Sequence, residues 1–436
     1  MSAVNDPALP DPQSADPSGA DSAALREAFL RVRQRTLSLA APLSAEDAMV
    51  QSMPDASPAK WHLGHTTWFF ERFVLGRDSG YRPIEPDWHF IFNSYYETVG
   101  PMHARPMRGL LSRPSLQEVV DYRQTVDERV ARLLSGDVDP EVIDHLMLGL
   151  HHEQQHQELL LTDIKHALWC NPLRPAYQPE LQAVTGEARP LEWHRVDEQL
   201  VEVGVPPWPA ATAFAFDSES PRHRVLLQPH ALASRPVTNA EYRAFIDDGG
   251  YRTVDLWLSD GWARINAEGW TRPFYWDEDL EREFTLGGVR PIDPAAPVSH
   301  LSYIEADAFA RWVGARLPTE FEWEHAAASL PVRGNFADRG LLHPAAAQGP
   351  VDAGVPMQMF GDVWEWTSSA YAAYPGFRPL PGSLGEYNGK FMSGQQVLRG
   401  GSCASPADHL RASYRNFFHP PDRWQFSGLR LARDIR

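Results

Sequence analysis

The stretch His151-His152-Glu153-Gln154-Gln155-His156-Gln157-Glu158, lying between Leu150 and Leu161, decides how this chain is read. It sits in a run with helical periodicity that passes through Leu146, Leu150 and His156 towards Trp169. On a helix, His152 and His156 project from one face, one turn apart, and two imidazoles so placed can grip one metal ion. A second helical segment, Trp61-His62-Leu63-Gly64-His65-Thr66-Thr67-Trp68-Phe69-Phe70-Glu71, offers His65 as a third ligand. His152-Glu153-x-x-His156 also fits the zinc-protease pattern, with Glu153 as its base, so the surrounding chain must decide between them.

Working outward, residues 22–172 read as a four-helix bundle. Ser22 opens a first helix through about Leu39, with Leu25, Phe29, Val32 and Leu37 at helical spacing. Ser57-Pro58 opens the second, which carries His62, His65, Phe69 and Phe73. Ser115 opens the third, with Val119, Tyr122, Val126 and Val130 on one stripe, and Asp139-Pro140 opens the fourth. Facing helices of such a bundle are where metal sites are built. The long connection from Gly76 to Pro114 holds Asn93-Ser94-Tyr95-Tyr96 and three arginines, Arg105, Arg108 and Arg113; loops of that length are functional or disordered, and this one is too aromatic for disorder.

Before the bundle, residues 1–21 are rich in Pro, Ala, Asp and Ser, which predicts a disordered tail and not a signal peptide. After about Pro172 the texture changes, with a linker expected over residues 173–200. From 201 to 436 Pro, Gly and Trp become dense. Short β-like runs (Leu200–Val205, Arg224–Leu227, Val397–Arg399, Leu429–Ala432) alternate with turns, and helices are expected at Asn239–Ile246 and Tyr303–Gly314. This is an irregular, loop-rich α+β domain.

The net charge of −17 and the lack of a long basic run argue against nucleic-acid and acidic-membrane partners. No apolar run approaches the roughly 18–20 residues that span a bilayer. The two cysteines, Cys170 and Cys403, exclude a disulfide framework and a Cys-rich zinc site, and suit reduced thiols in a cytoplasmic protein.

The C-terminal half resembles the formylglycine-generating-enzyme, or sulfatase-modifying-factor, fold, a relative of C-type lectins. The matching runs include Pro236-Val237-Thr238-Asn239-Ala240-Glu241-Tyr242, Ala315-Arg316-Leu317-Pro318-Thr319-Glu320-Phe321-Glu322-Trp323-Glu324 and Gly361-Asp362-Val363-Trp364-Glu365-Trp366. Arg399-Gly400-Gly401-Ser402 and Phe426-Ser427-Gly428-Leu429-Arg430 complete the order. The activity does not follow with the fold, because those enzymes use paired cysteines near the C-terminus and this half has only Cys403. The N-terminal half resembles the DinB-like bundle.

The two halves in this order resemble the ergothioneine-biosynthesis sulfoxide synthases, with the selenoneine synthases as a close branch. The resemblance implies a non-haem Fe(II) held by His65, His152 and His156, with O₂ as co-substrate. It also implies hercynine as one substrate and a sulfur or selenium donor as the other. Three neutral imidazoles suit Fe(II) oxygen chemistry, although zinc accepts the same set. A metal-dependent thiol transferase or a non-catalytic metal-binding protein on the same bundle is the competing reading.

By position in the family, Gln155 hydrogen-bonds the hercynine imidazole, and Asn416, Phe417 and Phe418 receive its carboxylate and trimethylammonium end, which aromatic faces can hold. Tyr95 or Tyr96 is the acid that steers the reaction to bond formation instead of thiol dioxygenation. Arg105 and Arg108 are candidate anchors for the donor's carboxylate. Where the ergothioneine-type relatives are expected to carry Gly-x-Arg-His-Pro-Arg, this chain has Gly100-Pro101-Met102-His103-Ala104-Arg105. The loss of a guanidinium at Met102 suits a less anionic donor such as a selenosugar.

Overall fold

Asp139 accepts the backbone N–H of Glu141 at 2.8 Å and Pro140 takes the first helical position, so the chain starts its longest helix there. The computed structural model describes residues 22–209, 213–348, 354–386 and 388–435. The tail expected over residues 1–21 lies outside them. The bundle is built from α1 (Ser22–Ala40), α2 (Ala59–Phe73), a short α3 (Trp88–Phe92), α4 (Leu116–Leu133) and α5 (Pro140–Cys170). Ser115 and Glu118 form a reciprocal cap on α4. α2 packs against both α4 and α5, and α1 lies against α5. Phe29, Phe70, Val126, Val130 and Leu146 fill the space between them.

The C-terminal domain is a set of small sheets joined by loops and short helices. Its strands are β1 (Trp193–Val196), β2 (Gln199–Val203), β3 (His223–Leu227), β4 (His230–Ala233), β5 (Arg282–Thr285), β6 (Gly288–Pro291), β7 (Trp364–Ala370), β8 (Gln396–Arg399), β9 (Asn416–Phe418), β10 (Ser427–Gly428) and β11 (Ala432–Asp434). The sheets run β1-β4-β11, β10-β7-β8-β9, β2-β3 and β5-β6. Helices α6 (Asn239–Asp247), α7 (Ser259–Glu268), α8 (Tyr303–Trp312) and α9 (Glu320–Ala327) lie between them.

Two expectations are corrected. β1 falls inside the stretch read as a linker, where it pairs with β4 and the Arg433 guanidinium covers the Trp193 ring at 4.3 Å. The run Leu429–Ala432 is not one strand. Arg430 turns inward to bond Glu365 and the carbonyls of Ala233, Met357 and Gln358, which separates β10 from β11.

α5, about 46 Å long at 1.5 Å per residue, joins the two halves. Leu160, Leu161 and Ile164 share a core with Tyr275, Phe284 and Phe426. On the same helix, the Glu158 carboxylate accepts from Trp364 Nε1 at 2.8 Å and from the Ser402 and Ser405 hydroxyls at 2.5 Å each. The C-terminal domain is therefore fixed against the histidine-bearing helix. Among the described residues no helix is long and apolar enough to cross a membrane.

Candidate metal centre

The close approach of α2 to α5 begins with glycines. At Gly149 the Phe70 ring occupies the place a Cβ would need, 2.6 Å from the ideal position. At Gly64 the Phe92 ring does the same at 2.1 Å, so α3 lies directly on α2. That contact puts the Phe92 carbonyl oxygen 2.6 Å from His65 Nδ1. The carbonyl can only accept, so His65 carries its hydrogen on Nδ1 and presents Nε2 as a bare lone pair.

His65 Nε2 lies 3.2 Å from His152 Nε2, and one ligand atom from each of His65, His152 and His156 falls within 4.8 Å of the others. All three rings are buried. Among the described residues this is the one cluster of three or more His, Cys, Asp or Glu side chains placed to hold a metal ion.

Burial is the first cause that holds all three imidazoles neutral. It pulls His152 down to about 3, while neighbouring imidazoles add to the lowering at His65 and His156. Neutral nitrogens converging in an apolar shell are the donor set a borderline divalent ion takes, so the residues fit the group that the sequence implies. Trp61 stacks on His65 at 4.5 Å, and Phe69 lies 4.6 Å from His152.

Glu153 is not placed as a protease base. Its carboxylate receives Arg33 Nη1 at 2.8 Å, the Thr36 hydroxyl at 2.6 Å and Arg123. Burial alone would push it up, but Arg123 and Arg33 reverse that and leave it at about 2. A carboxylate so held has no basicity to offer a water molecule.

Gln155, half-buried on α5, donates its amide N–H to the Tyr414 hydroxyl at 2.5 Å. Tyr414 in turn meets His409 Nε2 at 3.1 Å, and His409 Nδ1 meets His151 Nδ1 at 3.0 Å. Asn416, Phe417 and Phe418 form β9 and are half-buried. The Phe417 ring stacks on Tyr371 at 4.1 Å and faces Phe391 at 5.9 Å, and Phe391 meets Tyr95 edge-on at 5.4 Å. An aromatic row thus connects β9 to the loop between α3 and α4. Phe418 packs edge-on against Trp424, and the Asn416 side chain accepts its neighbour's N–H, that of Phe417.

The two loop tyrosines separate. Tyr96 is fully buried against Trp68, Phe69 and Phe73. Tyr95 is half-buried, hydrogen-bonded to Tyr96, and raised well above the usual phenol range by burial and then by that neighbour. Arg108 is buried with its guanidinium 3.4 Å from the Trp61 ring centre, donating to the Ser57 and Ser94 hydroxyls at 2.9 and 3.0 Å. Arg105 donates to the Asp55 carbonyl.

The sequence reading passed over Tyr414, His409, Tyr371 and Phe391. They lie in loops and strands distant from the histidines in sequence, and only the fold brings them close. Asp163 was also passed over, although it stands seven residues after His156 on the same helical face.

Comparison with known proteins agrees with this architecture. Residues 28–160 match the DinB superfamily, and residues 197–348 and 331–435 match the sulfatase-modifying factor enzyme 1-like domain. The hercynine oxygenase of Mycolicibacterium thermoresistibile is 36% identical over 94% of this chain and 95% of its own length. That of Mycolicibacterium smegmatis is 33% identical over 94% and 99%, and that of Mycobacterium tuberculosis 35% over 93% and 97%. With similarity running across both domains and almost the full length of each relative, this chain belongs to the hercynine oxygenase family of enzymes.

Proposed function

We propose that this chain is an Fe(II)- and O₂-dependent enzyme that joins the chalcogen of a small donor to the imidazole carbon of hercynine. The observation that carries the reading is the buried centre of three neutral histidines, which leaves coordination positions for other ligands, in a chain of this family. His65, His152 and His156 would hold the iron, which when bound supplies O₂ activation.

With a thiol donor the balance is one thiol, one imidazole C–H and one O₂ giving a sulfoxide and one water. Forming the carbon–sulfur bond releases two electrons, and oxidising sulfur to the sulfoxide releases two more.

The protein's own part is orientation and proton supply. Gln155, its amide N–H already committed to Tyr414, keeps its carbonyl oxygen to accept an imidazole N–H. Phe417 and the aromatic row beside it offer faces to the trimethylammonium group, which cannot donate a hydrogen bond. Tyr95 is the proton donor: its raised pKa keeps the phenol protonated, while Tyr96 packs into the core and bonds it.

The relatives' name favours hercynine, and a thiol donor is the first reading. Met102, standing where an arginine is expected, together with the occupied hydrogen bonds of Arg105 and Arg108, favours a second reading with a selenosugar donor. Product masses from Fe(II)-loaded protein given hercynine with cysteine, γ-glutamylcysteine or a selenosugar, in parallel, separate the two. No hercynine-derived product with any donor, in protein verified to contain iron, would refute both.

A further inference from the structure

Behind the histidine centre lies a hydrogen-bonded chain that the reaction as described does not use. His156 Nδ1 is 2.8 Å from His62 Nδ1, and His62 Nε2 is 3.0 Å from Asp163 Oδ2. The same carboxylate oxygen accepts the backbone N–H of Ser57 at 2.8 Å, at the entry to α2. His62 and Asp163 are both buried.

The hydrogens along this chain are dictated by its acceptor end. The Asp163 oxygen that accepts the Ser57 N–H accepts again from His62 Nε2, which puts the His62 hydrogen there and leaves a lone pair at Nδ1. Two facing Nδ1 atoms at hydrogen-bond distance then require His156 to be the donor. His156 is left with its hydrogen on Nδ1 and a bare lone pair on Nε2.

We propose that His62 and Asp163 are positioning residues that fix His156 in this tautomer with Nε2 turned to the metal. The inference rests on the reading of His65, His152 and His156 as ligands. A ligand imidazole needs such a partner on its other nitrogen, because otherwise its tautomer and ring angle are free. At His65 the partner is the Phe92 backbone carbonyl. At His156 it is the His62 ring backed by the Asp163 carboxylate, so the influence of Asp163 reaches the ligand through one intervening ring. The placement follows from helix geometry: Asp163 is two turns below His156 on α5, and His62 is one turn before His65 on α2. One ring thus ties the two ligand-bearing helices at a fixed spacing.

The test uses the metal-free full-length protein, titrated without oxygen with Fe(II) against a chromophoric chelator and with Co(II) by visible absorption. Wild type should take up one equivalent and His156→Ala none, which checks the ligand reading itself. His62→Phe, which keeps a ring and removes both nitrogens, should still bind one equivalent, with affinity lower by about 10–100-fold. Its Co(II) ligand-field bands should shift. His62→Gln, whose carbonyl can accept from His156 Nδ1, should recover most of the affinity and the wild-type bands. His62→Leu stands in should the Phe variant not fold.

Wild-type affinity and spectrum in His62→Phe, or in His62→Leu where it stands in, would overturn the proposal, as would a Gln variant no better than that variant. Complete loss of metal on removing His62, equal to that of His156→Ala, would make His62 a ligand and overturn it as well. Wild-type protein that takes up no metal would instead overturn the ligand reading together with this inference.

Discussion

Glu153 stands directly after His152, a proposed metal ligand, yet its chemistry belongs to the bundle. Its carboxylate neutralises two fully buried guanidinium groups, Arg33 and Arg123, so removing it strands positive charge in an apolar interior. Glu153→Ala should destabilise the fold by about 3–5 kcal/mol, the usual cost of breaking a buried ion pair from one side. Denaturant unfolding measures this, and an unchanged midpoint at unchanged slope would contradict it. Tyr414 holds the amide of Gln155, the residue proposed to accept from the hercynine imidazole. Tyr414→Phe releases the Gln155 amide and should raise KM for hercynine several-fold, with a smaller change in kcat. Tyr95→Phe removes the proposed proton donor, so the thiol should be oxidised without joining the imidazole. Product mass would show a sulfinate in place of the sulfoxide, whereas undiminished coupling would move the acid elsewhere.

At the scale of elements, α5 was the most legible part of the chain. Asp139-Pro140 marks its start, the apolar spacing marks its face, and the same spacing aligns His152, His156 and, two turns on, Asp163. The helix α9 was not read from sequence, although Thr319-x-x-Glu322 is a cap signature that the structure realises as a capping box. Its 8 residues give too short a period to stand out from the surrounding turns.

Lys165 on α5 shows what such elements do at the domain junction. Its ammonium donates to His300 Nε2 at 2.6 Å, and His300 Nδ1 donates to the Trp424 carbonyl at 3.2 Å. Burial first, and then Lys165, hold His300 well below the usual imidazole range. An unfolded chain binds a proton there below about pH 6.5, and the folded one does not. Stability from this site is therefore present above that pH and lost as pH falls below it, by up to about 1.4 kcal/mol per unit. The stability of wild type relative to His300→Asn should fall between pH 7 and 5.5; a pH-independent difference would contradict the assignment.

At the scale of the whole molecule, the two halves were legible for different reasons. The bundle follows from periodicity and caps, which are local. The C-terminal domain has short strands paired across long sequence distances, such as β1 with β4 and β4 with β11, so its pattern alone gives only an irregular α+β texture. Its order of motifs carries more than its periodicity does. The histidine triad was legible from the i, i+4 spacing and from the family resemblance. The partners that orient it and Gln155 were not, because Phe92, Tyr414 and His409 reach the site only through tertiary packing.

The three histidines and the residues proposed to hold hercynine are expected to act as one oxygen-using site. O₂ uptake by the iron-loaded protein, measured with the donor present and with or without hercynine, decides this. Wild type should consume one O₂ for each hercynine converted and show little uptake without it, and His156→Ala should show neither iron retention nor turnover. Hercynine conversion that persists in His156→Ala, or that consumes no O₂, would mean that the histidine centre is not where the reaction occurs.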